Sequence, residues 1–309
     1  MRHLLITGLI AALLLVPVTM LAAEEASPAA TFDPDHPDTL TTMNNLALTL
    51  QEQGDYAAAR DLQEQVLDAF TRILDPGHPD TLTAMHNLAT TLRYQGDYAG
   101  ARDLQEQVLE ARTQVLGPEH PDTLKAMHNL ALTLQYQGDY AAARDLQEQV
   151  LEARTQLLGP EHPDTLRTTN NMALTLEGQG DLAAARDLQE QVLDAFTRVL
   201  GPEHPDTLTA MSNLALTLQG QGDLAAARDL FEQVLDAFTR ALDPDHPDTL
   251  TAMDNLAGTL QQQGEYAAAR DLQDQVLEAR TRVLGPEHPD TLTTMNNLAL
   301  TLQEQGDYA

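Results

Sequence analysis

Histidine followed two residues later by aspartate is a pair that can ligate a metal or relay a proton. The chain carries it seven times, at His36, His78, His120, His162, His204, His246 and His288, always 42 residues apart. Zinc ligands must converge to about 2 Å from one ion, whereas copies borne by successive helix pairs stand ~10 Å or more apart. These histidines are therefore expected to open helices and not to bind metal. Other catalytic signatures are missing. The only lysine, Lys125, follows Leu124, so no Gly-Lys-Ser/Thr phosphate loop exists. Neither G-x-S-x-G nor H-E-x-x-H occurs, and with no cysteine there is no thiol nucleophile and no disulfide. The chemistry points away from an enzyme, and no cofactor is expected.

Sorting the polar residues by their place in the period isolates a second set. Of 17 basic residues, Arg2 lies near the N-terminus and thirteen recur at fixed positions in the second half of each block; Arg93, Lys125 and Arg167 remain. Tyr94 and Tyr136 likewise stand apart from five recurring tyrosines, and His86 and His128 from the seven histidines above. All of these exceptions fall in blocks two to four. An asparagine also recurs in every block, at Asn45, Asn87, Asn129, Asn171, Asn213, Asn255 and Asn297. Its amide can both donate and accept.

The elements that position these residues follow from the period. Blocks two and three differ at only five of 42 positions, and a fixed period of this length marks stacked repeats. Within block two, Pro79 suits a first helical position and Asp80 a first turn. Leu82, Met85, Leu88, Ala89 and Leu92 form one apolar stripe at helical spacing. Gly96 is expected to close this helix in the left-handed region. A second helix is expected from about Asp97 to Leu116, stopped by Gly117-Pro118. Neither stripe can be buried alone, so the pairs must stack.

The run Asn87 to Ala101, N-L-A-x-x-L-x-x-Q-G-x-Y-x-x-A, resembles the tetratricopeptide repeat. The longer period and the L-G-P-x-H-P-D linker are similar to the 42-residue variant of kinesin light chains and many bacterial proteins. The resemblance implies an all-α, right-handed α-solenoid of stacked antiparallel helix pairs, a tetratricopeptide-like superhelix, over residues 33–309: six full repeats and an incomplete seventh. First helices would line a concave groove and second helices its convex back.

On that frame the asparagine ladder becomes a candidate for holding an extended peptide backbone, the alternative being that it bonds neighbouring helices. Lys125 and Arg167 become a two-cation clamp for a carboxylate. His86 and His128 lie one turn further on, and Arg93, Tyr94 and Tyr136 stand near the helix C-termini, where the tyrosines would meet apolar ligand side chains. The expected function is a non-enzymatic scaffold that binds a protein or an acidic or C-terminal-carboxylate peptide in its groove. The alternatives are a self-associating structural array, through the outward stripe of the incomplete seventh repeat (Met295, Leu298, Leu302), or the regulatory arm of a larger protein. Cargo transport is not carried over from kinesin light chains, because this chain is far more acidic and has no motor-binding heptads.

Arg2, an apolar run from Leu4 to Leu21 and the small pair Ala22-Ala23 read as a signal peptide over residues 1–23. An uncleaved membrane anchor is the rival. The expected location is therefore exported, periplasmic or extracellular. Residues 24–32 read as a linker and the end of a preceding repeat, with Phe32 capping the first block. A formal charge of −30 excludes nucleic acid and disfavours an anionic membrane surface as partners.

Overall fold

The computed structural model describes residues 35–306. The expected signal peptide, linker, remnant repeat and Phe32 lie outside these residues. Each H-P-D-T-L segment begins a helix. These first helices are α1 (Pro37–Glu52), α3 (Pro79–Tyr94), α5 (Pro121–Gln137), α7 (Pro163–Gly178), α9 (Pro205–Gln221), α11 (Pro247–Gln262) and α13 (Pro289–Gln305). The second helices are α2 (Tyr56–Ile73), α4 (Tyr98–Leu116), α6 (Tyr140–Leu158), α8 (Leu182–Leu200), α10 (Leu224–Ala241) and α12 (Tyr266–Val283). No strand occurs among the described residues, and no helix there is long and apolar enough to cross a membrane.

The seven histidines are N-caps. In each, Nδ1 accepts the backbone N–H of the aspartate two residues on, at 3.1–3.2 Å. Proline follows at the first helical position, where its missing N–H costs nothing. Five of the six second helices are capped by aspartate; Asp97, for example, accepts from Gly100 N–H at 3.0 Å. Gly96 takes φ +81°, a conformation that L side chains rarely adopt, and ends the first helix as expected.

Each helix packs on the next in sequence, and the core is one narrow seam. Leu82, Met85, Val108 and Ala126 cluster from three successive helices, and Leu208, Val234, Ala237 and Ala252 repeat the pattern. Fully buried alanines such as Ala89 and Ala101 let the backbones approach closely. Neighbouring first helices also meet directly (α1 with α3, α5 with α7, α7 with α9, α11 with α13), and no two second helices come as close. First helices therefore line the inner side of the curve. On α13, Leu292, Met295 and Leu300 are exposed.

One core feature was not anticipated. Gln63, Gln105, Gln147, Gln189 and Gln273 are buried at equivalent second-helix positions, each with an amide oxygen that has no partner, while Phe231 fills the same place in α10. A buried unpaired polar group costs ~1–3 kcal/mol, so the phenylalanine marks the more stable solution.

Candidate functional site

The groove floor of repeats two to four is built from two adjacent positions that bond across neighbouring first helices. Asn87 donates its side-chain N–H to Asn44 Oδ1 at 2.8 Å. Asn129 Nδ2 lies 3.5 Å from His86 Nδ1, and Asn171 Nδ2 lies 3.3 Å from His128 Nε2, so each neutral imidazole accepts. Three rungs of the asparagine ladder thus spend their amide nitrogens between helices. Their carbonyl oxygens take no part in these bonds. Asn213, Asn255 and Asn297 are half-buried at the same position, and Asn45 is exposed.

Cations gather around the two histidines. Arg112, from α4, reaches over to donate to the Asp122 carbonyl at 3.0 Å. Arg154, from α6, donates to the Asp164 carbonyl at 3.0 Å and to Thr168 Oγ1 at 2.8 Å. Among the described residues neither guanidinium is paired with a carboxylate. Burial first, and then the charges of Lys125, Arg112 and Arg93, push the His86 imidazole down to about 4. Burial, Arg154 and Arg93 do the same to His128, against the pull of Asp164, and it too falls to about 4. Both rings are therefore neutral at neutral pH. His128 Nδ1 is buried without a partner.

Arg112 and Arg154 were missed by sequence reasoning, which counted them among recurring second-helix arginines. A signal existed. The equivalent positions read Phe70, Arg112, Arg154, Phe196, Phe238 and Arg280, an alternation of phenylalanine with arginine in an otherwise apolar stripe.

Tyr94 and Tyr136 stand at the edge of the groove, 53% and 62% exposed. Tyr94 stacks on Tyr56 with centroids 5.3 Å apart, and Tyr136 on Tyr98 at 6.0 Å. The Arg93 guanidinium lies 5.2 Å from the Tyr94 ring centre and 5.4 Å from that of Tyr136, joining the pairs into one row by cation–π attraction. The row ends at repeat four. There Gly178 stands in the tyrosine position, and Tyr140 lies where a side chain would be.

The expected two-cation clamp of Lys125 and Arg167 needs correction. Arg167 grips both oxygens of Asp206, at 3.2 and 2.7 Å, and holds Asp164 at 2.8 Å. Its charge is already spent on internal carboxylates. Asp206, the aspartate of the next H-P-D entry, stands beside the early first-helix position that Arg167 occupies. Lys125 remains an exposed cation within range of His86.

Repeat six carries the opposite arrangement. Asp254 stands where repeats two and three have His86 and His128, and its carboxylate is bonded to Arg280. Arg280 also donates to Thr294 Oγ1 at 2.6 Å.

The family model described as tetratricopeptide repeat matches residues 22–72, 38–114, 80–156, 130–198, 164–240, 206–281 and 248–309. A crystal structure of nearly identical tetratricopeptide-like repeats from a Podosopora anserina kinesin light chain is 32% identical, covering 67% of this chain and 98% of that one, with a TM-score of 0.56. A Rap protein complexed with competence and sporulation factor shares the fold at 12% identity, covering 87% of this chain and 76% of that one, with a TM-score of 0.59. NprR in complex with its cognate peptide NprX does so at 14% identity, 90% and 75% coverage, and a TM-score of 0.62. No curated protein matches the chain.

Proposed function

The chain belongs to the tetratricopeptide repeat family, of the kinesin-light-chain-like repeat type, and from that premise we propose that its groove binds an acidic peptide segment across repeats two to four. Its class is a protein-interaction scaffold, a fold type without enzymatic activity of its own. The observation that carries the finer reading is the convergence of Lys125, Arg112, Arg154 and Arg93 on two neutral histidines, with no carboxylate of the chain paired to Arg112 or Arg154 among the described residues. In a chain of charge −30, such a patch opposes the global field locally and suits a carboxylate from outside. The carbonyls of Asn87, Asn129 and Asn171 can accept peptide N–H groups. The exposed parts of Tyr94 and Tyr136 offer apolar surface to ligand side chains. The peptide complexes of Rap and NprR are precedents for the mode of use on this fold. The N-terminal Arg2 and apolar run support placing the array outside the cytoplasm.

The test uses a labelled peptide bearing Asp and Glu side chains and a free C-terminal carboxylate, against its Asn/Gln amide counterpart. A charge-assisted hydrogen bond is worth ~1.5–3 kcal/mol, so Lys125→Ala/Arg154→Ala should weaken the acidic peptide at least tenfold. Added salt should weaken the parent more than the variant. Equal binding of the two peptides would sink the acidic reading and leave the generic scaffold.

A further inference from the structure

We propose that the groove side of repeat six holds a separate site for an alkylammonium group, walled by Asp254, Gly258, Gln261, Gln273, Asn297 and Glu304. A cavity of about 290 Å³ lies there among α11, α12 and α13. It depends on one residue. The position of Gly258 is leucine at Leu48, Leu132, Leu174, Leu216 and Leu300, and threonine at Thr90. A β-carbon added to Gly258 would meet nothing within 4 Å, so the missing side chain leaves open space.

The walls of this space are acceptors. One Asp254 carboxylate oxygen is engaged by Arg280, and the other, Oδ1, is buried with no hydrogen-bond partner. Gln273, only 1% exposed, lines the cavity; its Oε1 has no partner, as at Gln63, Gln105, Gln147 and Gln189, so what is particular to repeat six is that this oxygen adjoins an open space beside Asp254. At the rim, Gln261 donates to Glu304 at 3.2 Å and holds that carboxylate over the cavity. Two buried oxygens without donors penalise the empty fold. An ammonium group brings three donors and no acceptor, which fits such a wall. A hydroxyl would set its own lone pairs against the oxygens, and an anion would be repelled.

The local charge agrees. Asp254 and Glu304 outnumber Arg280, and Asp290 adds a further negative field, in a chain of net charge −30. Burial pushes the Asp254 carboxyl up despite Arg280, and a second cation would relieve that. The cavity has room for an alkyl stem, and its rim is formed by the groove-lining helices α11 and α13. The group could come from a free amine or from a lysine side chain of a bound polypeptide. This site shares no residue with the patch in repeats two to four and has the opposite sign, so either can fail alone.

Isothermal titration of the whole chain at low ionic strength with n-butylammonium and with Nα-acetyl-lysine amide tests the site. Both should bind saturably, while n-butanol and n-butyltrimethylammonium, which lack the N–H donors of an ammonium, should not. Gly258→Leu, the residue used in most other repeats, should lower affinity at least tenfold with helicity retained. Glu304→Gln, at the rim, should lower it severalfold and keeps the test decisive where leucine disturbs packing. Tighter binding of a lysine-bearing peptide than of n-butylammonium assigns a polypeptide source, and the reverse a small amine. Absence of saturable ammonium binding, equal binding of the trimethyl analogue, or unchanged binding by both variants overturns the proposal.

Discussion

Arg154 and Arg280 hold the same place in their repeats, and each bonds a threonine of the next first helix, Thr168 at 2.8 Å and Thr294 at 2.6 Å. They differ in what stands one turn along the groove. Beside Arg154 it is His128, neutral and half-buried; at the equivalent position beside Arg280 it is Asp254, bonded to the guanidinium. In the three repeats that carry this arginine, one groove residue thus decides whether it is paired with a carboxylate of the chain. Along the array that position reads Asn44, His86, His128, Asn170, Ser212, Asp254 and Asn296, so a nearly uniform scaffold carries neutral imidazoles early and a carboxylate late.

The largest expected effect tests whether the two arginines differ in kind. Removing one partner of a buried ion pair typically costs 3–5 kcal/mol. Arg280→Met, which strands Asp254, should therefore destabilise by about 3 kcal/mol. Arg112→Met leaves no carboxylate behind and should cost less than ~1 kcal/mol, since phenylalanine occupies this position in three repeats. Denaturant unfolding of both variants checks this, and equal losses would break the comparison.

A middle-sized effect comes from the histidines. Both titrate lower when folded than the ordinary 6.5, so the unfolded chain binds more protons between about 4 and 6.5. The stability they support is complete above about 6.5 and is lost as pH falls towards 4. One unit is worth ~1.4 kcal/mol. After allowance for solvent screening, His86→Asn/His128→Asn should spare about 2 kcal/mol of acid destabilisation near pH 4.5. Acidic-peptide binding to the parent should strengthen over the same window, because a bound carboxylate favours the protonated rings.

The smallest effect asks whether the difference is confined to the groove. On the core side, Thr169 stands where Met85 and Met127 are buried, and its hydroxyl is tied back to the Thr165 carbonyl at 3.1 Å. Thr169→Met should stabilise by ~1 kcal/mol by filling a modest apolar gap. An unchanged thermal midpoint would mean the site is effectively solvated.

The architecture was legible because its signals are local and repeated sevenfold: Pro79 and His78 at a helix start, Gly96 at its end, and apolar spacing between them. The rarity of Arg93, Tyr94, Tyr136, His86 and His128 located the patch, and the structure joins the first three in one row. What escaped were facts that cross between helices. Asp206 claims Arg167 from the next repeat, a contact that no count along one helix reveals. Arg112 and Arg154 were hidden by their own regularity. Gln105 drew no comment from the sequence, although Ala101, Gln105 and Val108 follow helical spacing and share the buried face.

The central claim is that repeats two to four bind an external carboxylate because they lack the internal one of repeat six. His128→Asp supplies it, recreating beside Arg154 and Thr168 the arrangement that Asp254 makes with Arg280 and Thr294. Fluorescence anisotropy with the acidic peptide should show affinity falling at least tenfold, with the thermal midpoint at neutral pH unchanged or raised. Undiminished binding by His128→Asp would contradict the account, because the patch would then not be where the ligand's carboxylate goes.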